Sequence, residues 1–325
     1  MREVCVVGAG WSGLTAARRL QDAGLDVVVL EKARGPGGRC ATRRQDDFSF
    51  DHGAQYFTAR SDAFSEAVRD WKAQGLVQAW NPRITVFGPR PSDAGRSPDE
   101  RLVALPGMNG VLKHLATGLD CRFGVRVEGL ARKEDCWLIG TDASRQEIRA
   151  RYLLMTAPPR QAAVLLSNLS DLAAAVAKVP MNPCWAMMLG FEQTVEADFD
   201  AAFDNEGPLA WLARNSSKPG RSGEAWVLHA SPDWSTRHLE DDAASVAETL
   251  LDAFRQRVPA ARSLEPRVAS AHRWRYALAP EPIKRNCLSD AGAGLVVAGD
   301  WCAGNRIEGA WTSGTASAEE ILGWG

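Results

Sequence analysis

Residues 3–31 read EVCVVGAGWSGLTAARRLQDAGLDVVVLE, and this stretch decides the fold. A short apolar run, Glu3–Val7, precedes a glycine-rich turn, and small and apolar residues then recur at helical spacing until Gly24. Asp26–Leu30 is a second buried run. The order strand, helix, strand predicts a βαβ unit of the Rossmann type.

The turn of this unit has the glycine spacing of a dinucleotide site. The first glycine of GxGxxG permits a tight turn, the second lets a pyrophosphate approach the backbone, and the third lets helix and strand pack closely. The helix N-terminus presents its N–H groups to the phosphates. We therefore expect the turn residues Gly8, Gly10, Trp11, Ser12 and Gly13 to bind a dinucleotide.

The end of the second strand carries a carboxylate. Glu31 lies 18 residues after Gly13, where it can accept hydrogen bonds from a ribose diol, and Lys32 beside it is assigned to the same site. These residues support a dinucleotide but do not distinguish NAD from FAD.

Three further segments favour FAD: Arg34–Arg39 (RGPGGR), Asp51–Phe57 (DHGAQYF), and Gly299-Asp300 followed by Glu308–Gly314 (EGAWTSG). The glycines of the first segment free backbone N–H groups, and its arginine can neutralise pyrophosphate charge. The cofactor-binding residues predicted from these segments are Gly38, Arg39, Gly53, Ala54, Gln55, Gly299, Asp300, Gly309 and Ala310.

This pattern resembles the large family of flavin amine oxidases, phytoene desaturases and protoporphyrinogen oxidases, from residue 1 to the last helix. The resemblance implies that the Gly-Gly-Arg loop binds the pyrophosphate and that Asp300 binds the ribityl chain or a phosphate. The last helix would point its N-terminus at the flavin pyrimidine, where reduced flavin is negatively charged. By the same analogy Val127 holds the adenine through its backbone; the alternative is a plain strand valine.

The resemblance also implies a fold and a division of the chain. The fold is α/β, with an α+β substrate part: a Rossmann-type FAD-binding domain of the glutathione reductase / p-hydroxybenzoate hydroxylase kind with an inserted mixed-sheet substrate domain. The boundaries predicted are 1–60, 100–160 and 277–325 for the FAD-binding domain, and 61–99 and 161–276 for the substrate domain.

Within that family the chain is most similar to renalase-like enzymes. The segments that match are Asp51–Phe57, Leu105–His114 (LPGMNGVLKH), Val227–Ala230 (VLHA), Arg273–Tyr276 (RWRY) and Gly299–Gly314. The resemblance implies oxidation of 2-dihydro- and 6-dihydro-NAD(P) to NAD(P)+, with hydride passing to flavin N5 and then electrons to O2, which gives H2O2. The implied role is metabolite repair.

A dihydropyridine is itself a hydride donor, so the enzyme needs mainly to hold it flat and aligned. The resemblance suggests four residues at that site: Tyr56 beside the ring, Trp274 as a wall, and His229 and Asn215 as polar contacts. Each could instead be a structural residue of the core. The charged residues near Asn215, which are Arg214, Lys218 and Arg221, could attract substrate phosphates, but the favoured interpretation is a solvated charged loop.

Composition narrows the remaining possibilities. The net charge is −2, which disfavours nucleic acid and anionic membranes as partners. The seven cysteines are dispersed, which predicts reduced thiols and a cytoplasmic protein without a metal site. Because no cysteine lies in a flavin-attachment motif, we expect FAD to be non-covalent. We also expect the chain to be a monomer or weak dimer.

Other readings remain open. One is an amine oxidase of a small amine or polyamine, although the final Glu308–Gly314 motif lacks the tyrosine of that enzyme type. Others are a desaturase-like or monooxygenase-like flavoprotein for an apolar substrate, and a flavin-binding module without turnover. A disulfide reductase is disfavoured, because the chain lacks a second GxGxxG after a strand and a CxxC pair.

The periodicity beyond the first unit predicts further elements. Helices are expected at 62–74, 106–117, 161–179, 241–258 and 310–322, strands at 122–130, 151–156, 183–192, 224–230, 267–275 and 294–299, a strand meander at 135–148, and a loop at 88–101.

Overall fold

The computed structural model describes residues 1–89 and 99–325, and only the backbone of residues 144–146. The strands of that part are β1 (Arg2–Val7), β2 (Val27–Glu31), β3 (Thr42–Gln45), β4 (Phe48–Asp51), β5 (Val77–Ala79), β6 (Ile84–Phe87), β7 (Leu102–Ala104), β8 (Asp120–Phe123), β9 (Val127–Lys133), β10 (Cys136–Thr141), β11 (Ser144–Met155), β12 (Asn182–Phe191), β13 (Ala201–Asp204), β14 (Leu209–Arg214), β15 (Glu224–Ala230), β16 (Val268–Leu278), β17 (Leu288–Asp290) and β18 (Leu295–Val297). The α-helices are α1 (Trp11–Asp22), α2 (Asp62–Ala73), α3 (Gly110–Ala116), α4 (Pro159–Leu165), α5 (Leu172–Ala177), α6 (Pro232–Arg237), α7 (Ala243–Arg257), α8 (Asp300–Ala303) and α9 (Ile307–Leu322).

The chain divides into two compact units. The first unit comprises Met1–Gly38, Leu112–Met181 and Ala279–Gly325, and the second comprises Arg39–Val111 and Asn182–Leu278. Residues 39–60 and 100–111, predicted in the FAD-binding domain, pack within the second unit, and residues 161–181 pack within the first. The assignment of a cofactor domain and a substrate domain stays a prediction.

The first unit is built on a Rossmann-like sheet with the strand order β17-β18-β11-β1-β2-β8. The five strands from β18 to β8 are parallel, and the β9–β10 hairpin joins β11 antiparallel. Strand β1 is buried from Val4 onward because it lies in the middle of this sheet. The α/β fold class predicted from the sequence is confirmed.

The second unit is built on a mixed six-stranded sheet, β16-β12-β15-β14-β13-β6. Alternate residues of β12 and β15 (Trp185, Met187 and Leu189; Trp226 and Leu228) join the core cluster that contains Leu250 and Phe254 of α7. The opposite face therefore carries the other alternating set of side chains, which includes several of the predicted site residues.

Several predicted elements differ from those observed. The strand expected at 122–130 is two strands, β8 and β9, because Gly124 turns the chain with a φ of +70°. The helix expected at 161–179 is two short helices, with Asn168 at a φ of +62° between them. Helix α3 begins at Gly110, after the Pro-Gly turn with which residues 106–117 were expected to begin, and α9 begins at Ile307, earlier than expected. The loop expected at 88–101 lies largely outside the described residues.

Among the helices of the described residues, none is both long enough and apolar enough to cross a membrane.

Candidate functional site

The turn between β1 and α1 has the conformation that its glycines predict. Gly8 has a φ of +112°, and a Cβ on Gly13 would lie 2.0 Å from the Gly8 carbonyl oxygen. Helix α1 then begins at Trp11, and no side chain caps it at Gly10. The first and third glycines are therefore needed by the fold itself.

The second glycine of the turn is different. A Cβ on Gly10 would meet no protein atom within 4 Å, and the Cβ position of Gly38 lies 3.7 Å from the Gly10 Cα. Two predicted phosphate-binding loops thus meet around an open space at the N-terminus of α1. The first unit fits a dinucleotide at this place.

Glu31 has a second task that the sequence did not indicate. Its Oε2 accepts a hydrogen bond from the Ala9 N–H at 2.8 Å, and its Oε1 accepts one from the Ala33 N–H at 2.7 Å. The buried carboxylate therefore ties the glycine turn to the end of β2. Each oxygen keeps a further lone pair for a ribose hydroxyl. Neighbouring Lys32 is exposed, and its Nζ lies 3.4 Å from Gln161 Oε1.

The C-terminal residues predicted for the cofactor surround the start of α9. Ser313 Oγ accepts a hydrogen bond from the Gly299 N–H at 3.0 Å, and Asp300 opens α8. Gly309 and Ala310 lie in the first turn of α9, and the Ala310 carbonyl accepts a hydrogen bond from Ser12 Oγ at 2.8 Å. The last helix and α1 are thus joined at their N-terminal ends.

Val127 lies apart from these residues as the buried first residue of β9. Its partner in β10 is Thr141, and its side chain belongs to the core cluster of the first unit. The packing explains the choice of valine by itself, and a backbone contact to adenine stays a prediction.

Strand register in the second unit brings predicted residues into one row. Across the sheet, Trp211 of β14 pairs with His229 of β15, His229 with Ala186 of β12, and Ala186 with His272 of β16. Directly paired residues share a face, so these four side chains lie on the same side of the sheet. Trp274, two residues after His272, lies on this face as well.

The segment Asp51–Tyr56 crosses this face, and His52 anchors it. The His52 carbonyl accepts a hydrogen bond from Trp274 Nε1 at 2.9 Å, and His229 Nε2 lies 3.3 Å from the same oxygen. The His52 ring stacks on Trp274 with 5.0 Å between centroids. One side of Trp274 is therefore covered by His52. A Cβ on Gly53 would lie 1.9 Å from the Arg39 carbonyl oxygen and 3.4 Å from Trp274, so only glycine fits there.

Arg39, another predicted residue, binds this segment at Ala54. The Arg39 carbonyl accepts a hydrogen bond from the Ala54 N–H at 2.9 Å. Arg39 itself donates from Nη1 to the Ala277 carbonyl at 2.9 Å. Arg39 thus connects the segment to the end of β16.

Tyr56 belongs to an aromatic cluster with Trp80 and Trp211. The Tyr56 centroid lies 6.1 Å from that of Trp80 and 5.9 Å from that of Trp211. Two cations of the protein accompany the rings: the Arg101 guanidinium lies 5.5 Å from the Tyr56 centroid, and Lys218 Nζ lies 5.5 Å from the Trp80 centroid. Neither tryptophan had any sequence signal beyond the high tryptophan content.

A buried carboxylate, Asp51, organises the polar side of the site. Its Oδ2 accepts from Arg221 Nε at 2.9 Å and Nη2 at 2.6 Å, and its Oδ1 accepts from Thr42 Oγ1 at 2.7 Å and the Met108 N–H at 3.0 Å. Burial alone would raise the pKa of Asp51, but the charges of Lys218 and Arg221 and these hydrogen bonds lower it below its ordinary value. The carboxylate is therefore ionised.

Lys218 and Arg221 correct the sequence interpretation. They were assigned to a solvated charged loop, yet the side chains of both are 0% exposed. Lys218 Nζ donates to Gln55 Oε1 at 3.1 Å and to Asn215 Oδ1 at 2.9 Å. The polar sequence of this loop gave no sign of burial, because its partner Asp51 is distant in the chain.

Asn215 is fully buried and its amide is engaged within the second unit. Its Nδ2 donates to the Ser49 carbonyl at 2.7 Å, and its Oδ1 accepts from Lys218. This geometry suits a residue that positions the Asp51–Tyr56 segment. The predicted contact of Asn215 with substrate would require these bonds to rearrange.

The three histidines of the face are neutral at physiological pH. Burial lowers the pKa of His52 to about 3, with the neighbouring His272 adding to the effect, and burial lowers the pKa of His229 to about 4. The pKa of His272 is also lowered, mainly by burial. They can therefore accept or donate neutral hydrogen bonds, but they supply no positive charge for an anion.

Comparisons with known proteins agree with this construction. Residues 6–71 match the profile of an NAD(P)-binding Rossmann-like domain, and residues 93–322 match that of the flavin containing amine oxidoreductases, which is more than half of the chain. The chain belongs to the flavin containing amine oxidoreductase family. Membership implies a flavin cofactor, in agreement with the open space at Gly10.

Individual proteins resemble the chain over part of its sequence or in fold. A ζ-carotene-forming phytoene desaturase from Myxococcus xanthus is 54% identical over 68 residues, which is 21% of this chain and 13% of the desaturase. Cyclohexylamine oxidase from Brevibacterium oxydans IH-35A has a TM-score of 0.75 at 14% identity, with 99% of each chain covered. Putrescine oxidase bound to putrescine has a TM-score of 0.69 at 15% identity, also with 99% of each chain covered. The last two likenesses concern the fold.

The charge state of Lys218 gives a pH-dependent stability that can be measured in this family member. Burial lowers the pKa of Lys218 to about 7, and Asp51 offsets this only in part because Arg221 opposes it. Between that pKa and the value near 10.4 of an unfolded lysine, the unfolded chain binds more protons, so stability rises with pH. We expect the unfolding free energy of the wild type, relative to that of Lys218→Met, to increase by up to about 1.4 kcal/mol per pH unit above pH 7.

Urea unfolding of both proteins between pH 6 and 9 measures this difference. Subtracting the two unfolding free energies removes the contribution of the lysines that both proteins contain. A constant offset at all pH values would mean that Lys218 keeps an ordinary pKa.

Proposed function

We propose that the protein is a FAD-dependent oxidase of isomeric dihydronicotinamides, 2-dihydro- and 6-dihydro-NAD(P), which it converts to NAD(P)+. Bound FAD would supply the acceptor for the substrate's hydride, at N5, and would return the electrons to O2 as H2O2. The chain's own task is to hold a flat, anionic dinucleotide in alignment and to exclude water. This substrate goes beyond what family membership establishes.

The main support for the proposal is the pair of cationic side chains that lie against the aromatic cluster. An oxidase of amines must accept an ammonium group or its neutral form against aromatic faces, where a cation is attracted by the rings. Here Arg101 and Lys218 already lie over Tyr56 and Trp80. The Arg101 guanidinium, joined by the Lys218 ammonium group when Lys218 is protonated, disfavours a second cation and favours a planar substrate that carries phosphates.

The residues of the face fit the handling of a dihydropyridine ring. Such a ring needs no general base, and the three histidines and Tyr56 need not exchange a proton for it to react. Trp274 is held by its bond to the His52 carbonyl, by the stacked His52 ring and by the edge contact of His272 at 4.4 Å between centroids. The indole face away from His52 is the one assigned to the substrate. We propose that this face aligns the ring, with His229 as its polar neighbour.

We propose that FAD is held without a covalent bond. Cys302 is the cysteine nearest the C-terminal cofactor motif in sequence, and it is buried. Burial raises its pKa far above the ordinary value, so the thiol stays protonated and is a poor nucleophile. Acid precipitation should release all of the flavin into the supernatant, and yellow colour left in the pellet would contradict this.

The amine oxidase alternative is supported by the family profile and by the fold shared with cyclohexylamine oxidase. H2O2 release distinguishes the two. We expect H2O2 with 2-dihydro- or 6-dihydro-NAD(P) and none with cyclohexylamine or putrescine. H2O2 with an amine alone would replace the proposal by the alternative.

Replacing Trp274 with alanine should slow flavin reduction by about 10- to 100-fold and leave FAD bound. The loss of an aligning wall costs correct orientation, and misplacement by about 1 Å can cost roughly 100-fold. Anaerobic stopped-flow mixing measures the rate. Trp274→Phe is the matched variant, since it keeps a ring but loses the Nε1 bond, and it should fall in between. Flavin reduction at the wild-type rate in Trp274→Ala would show that Trp274 does not align the substrate.

A further inference from the structure

The charges around Asp51 are not balanced. Arg221 and two other donors occupy both carboxylate oxygens, while Lys218 Nζ lies 3.7 Å from Oδ2, beyond hydrogen-bonding distance. One carboxylate thus faces two cations in a fully buried place. When Lys218 is protonated, one positive charge has no counter-ion among the described residues around it.

The ammonium group of Lys218 joins two side-chain amides that hold the same segment from opposite ends. Asn215 binds the Ser49 carbonyl through Nδ2, and its Oδ1 lies 3.4 Å from the Asp51 N–H. Gln55 donates from Nε2 to the Asp51 and Gly53 carbonyls. Lys218 Nζ donates to the side-chain oxygen of both amides, Gln55 Oε1 and Asn215 Oδ1. The hydrogen-bond network therefore runs from Ser49 to Gln55 through Lys218.

We propose that Lys218 is a positioning residue: its ammonium group fixes the segment Asp51–Tyr56 through Gln55 and Asn215, and the neutral amine holds that segment less tightly. Charge-assisted hydrogen bonds are roughly twice as strong as neutral ones. The segment carries Tyr56 and the predicted cofactor contacts Gly53 and Gln55, so its order sets the geometry of the site. Where it concerns substrate, the inference rests on the proposed function.

Lys218 is the group near the segment that changes charge around neutrality. The ionisable groups that face it are Asp51, Arg221 and His229. Asp51 stays ionised because its pKa is lowered, and His229 is neutral with a pKa of about 4. Burial without a full counter-charge lowers the pKa of Lys218 to about 7.

Amide hydrogen exchange of the peptide that covers residues 51–57 tests the proposal without any substrate. In the wild-type holoprotein, the local opening that breaks these hydrogen bonds while Lys218 stays buried should become easier when Lys218 is deprotonated. Exchange corrected for its intrinsic pH dependence should therefore be about fivefold faster at pH 8.5 than at pH 6, because about 1 kcal/mol of hydrogen bonding is lost. An opening that exposes Lys218 has the opposite pH dependence, since it follows the unfolding free energy, and slower exchange at pH 8.5 would overturn the proposal. Peptides of α7 should not change. An unchanged 51–57 peptide in the wild type would overturn the proposal without any variant.

The variants identify the titrating group. In Lys218→Met, the 51–57 peptide should exchange fast at both pH values, and in the control Lys72→Met, which removes a partly exposed lysine paired with Glu100, it should behave as in the wild type. Lys218→Gln serves if the methionine variant does not fold. A pH step that persists in a Lys218 variant would assign the titration elsewhere and overturn the proposal.

Flavin reduction by the proposed substrate then separates positioning from a merely structural role. Lys218→Met should lower the limiting rate constant about fivefold and remove its pH step near 7, with a smaller change in the apparent dissociation constant. If exchange behaves as expected but no dihydronicotinamide reduces the flavin, the positioning role stands and the proposed function fails.

Discussion

Replacing Asp51 with asparagine should destabilise the protein by about 3–5 kcal/mol, the cost of removing one partner from a buried charge pair. The variant keeps the shape of the side chain but leaves Arg221 and Lys218, both 0% exposed, without a carboxylate. The asparagine amide also has only one oxygen, so its NH2 group must face hydrogen-bond donors that have lost their acceptor. Urea unfolding at pH 7, followed by circular dichroism, measures the loss.

Asp252→Asn provides the control for this experiment, because Asp252 is an exposed residue of α7. It should stay within about 0.5 kcal/mol of the wild type. An Asp51→Asn variant with wild-type stability would show that the carboxylate is not the charge that holds the two cations in place.

Replacing Gly10 with alanine should weaken FAD binding by roughly 10- to 100-fold while leaving the apoprotein as stable as before. The added methyl group meets no protein atom within 4 Å, and the extended backbone at Gly10 (φ −87°, ψ −171°) suits alanine. The same methyl group would stand where the pyrophosphate approaches, and forcing an extra methylene into a packed contact costs about 1–3 kcal/mol.

Titration of the apoprotein with FAD, followed by quenching of flavin fluorescence, measures the affinity, and thermal unfolding of the apoprotein measures the fold. Gly129→Ala is the matched control, since a Cβ there also meets nothing within 4 Å but lies in β9, away from the turn. Wild-type affinity in Gly10→Ala would mean that no phosphate approaches the backbone at this glycine.

The first unit could be predicted because its signals are local. The β1–α1–β2 unit needs only the periodicity of residues 3–31 and the glycines between them, and the structure reproduces each element to within about a residue or two. One local signal misled at residues 161–179, where the alanine-rich sequence favours a single helix but Asn168, with a φ of +62°, lies between two short ones.

The face of the second unit carries no local signal: resemblance to a family suggested only His229 and Trp274 among its residues, and nothing in the sequence indicated Trp211 or His272. Its row of Trp211, His229, Ala186 and His272 arises from the register of four strands that lie far apart in the sequence. The burial of Lys218 depends likewise on Asp51, which is 170 residues from Arg221 of the same loop, about half of the chain. Periodicity within a segment carries no information about such partners, so a polar loop looks solvated.

Anaerobic mixing of the purified holoprotein with one equivalent of 6-dihydro-NAD tests the central claim most directly, since it observes the flavin and the substrate in a single turnover. We expect the absorbance of oxidised flavin to disappear within seconds and NAD+ to be formed in equal amount. Unchanged absorbance with both the 2-dihydro and the 6-dihydro isomers, in a protein whose flavin dithionite still reduces, would contradict it.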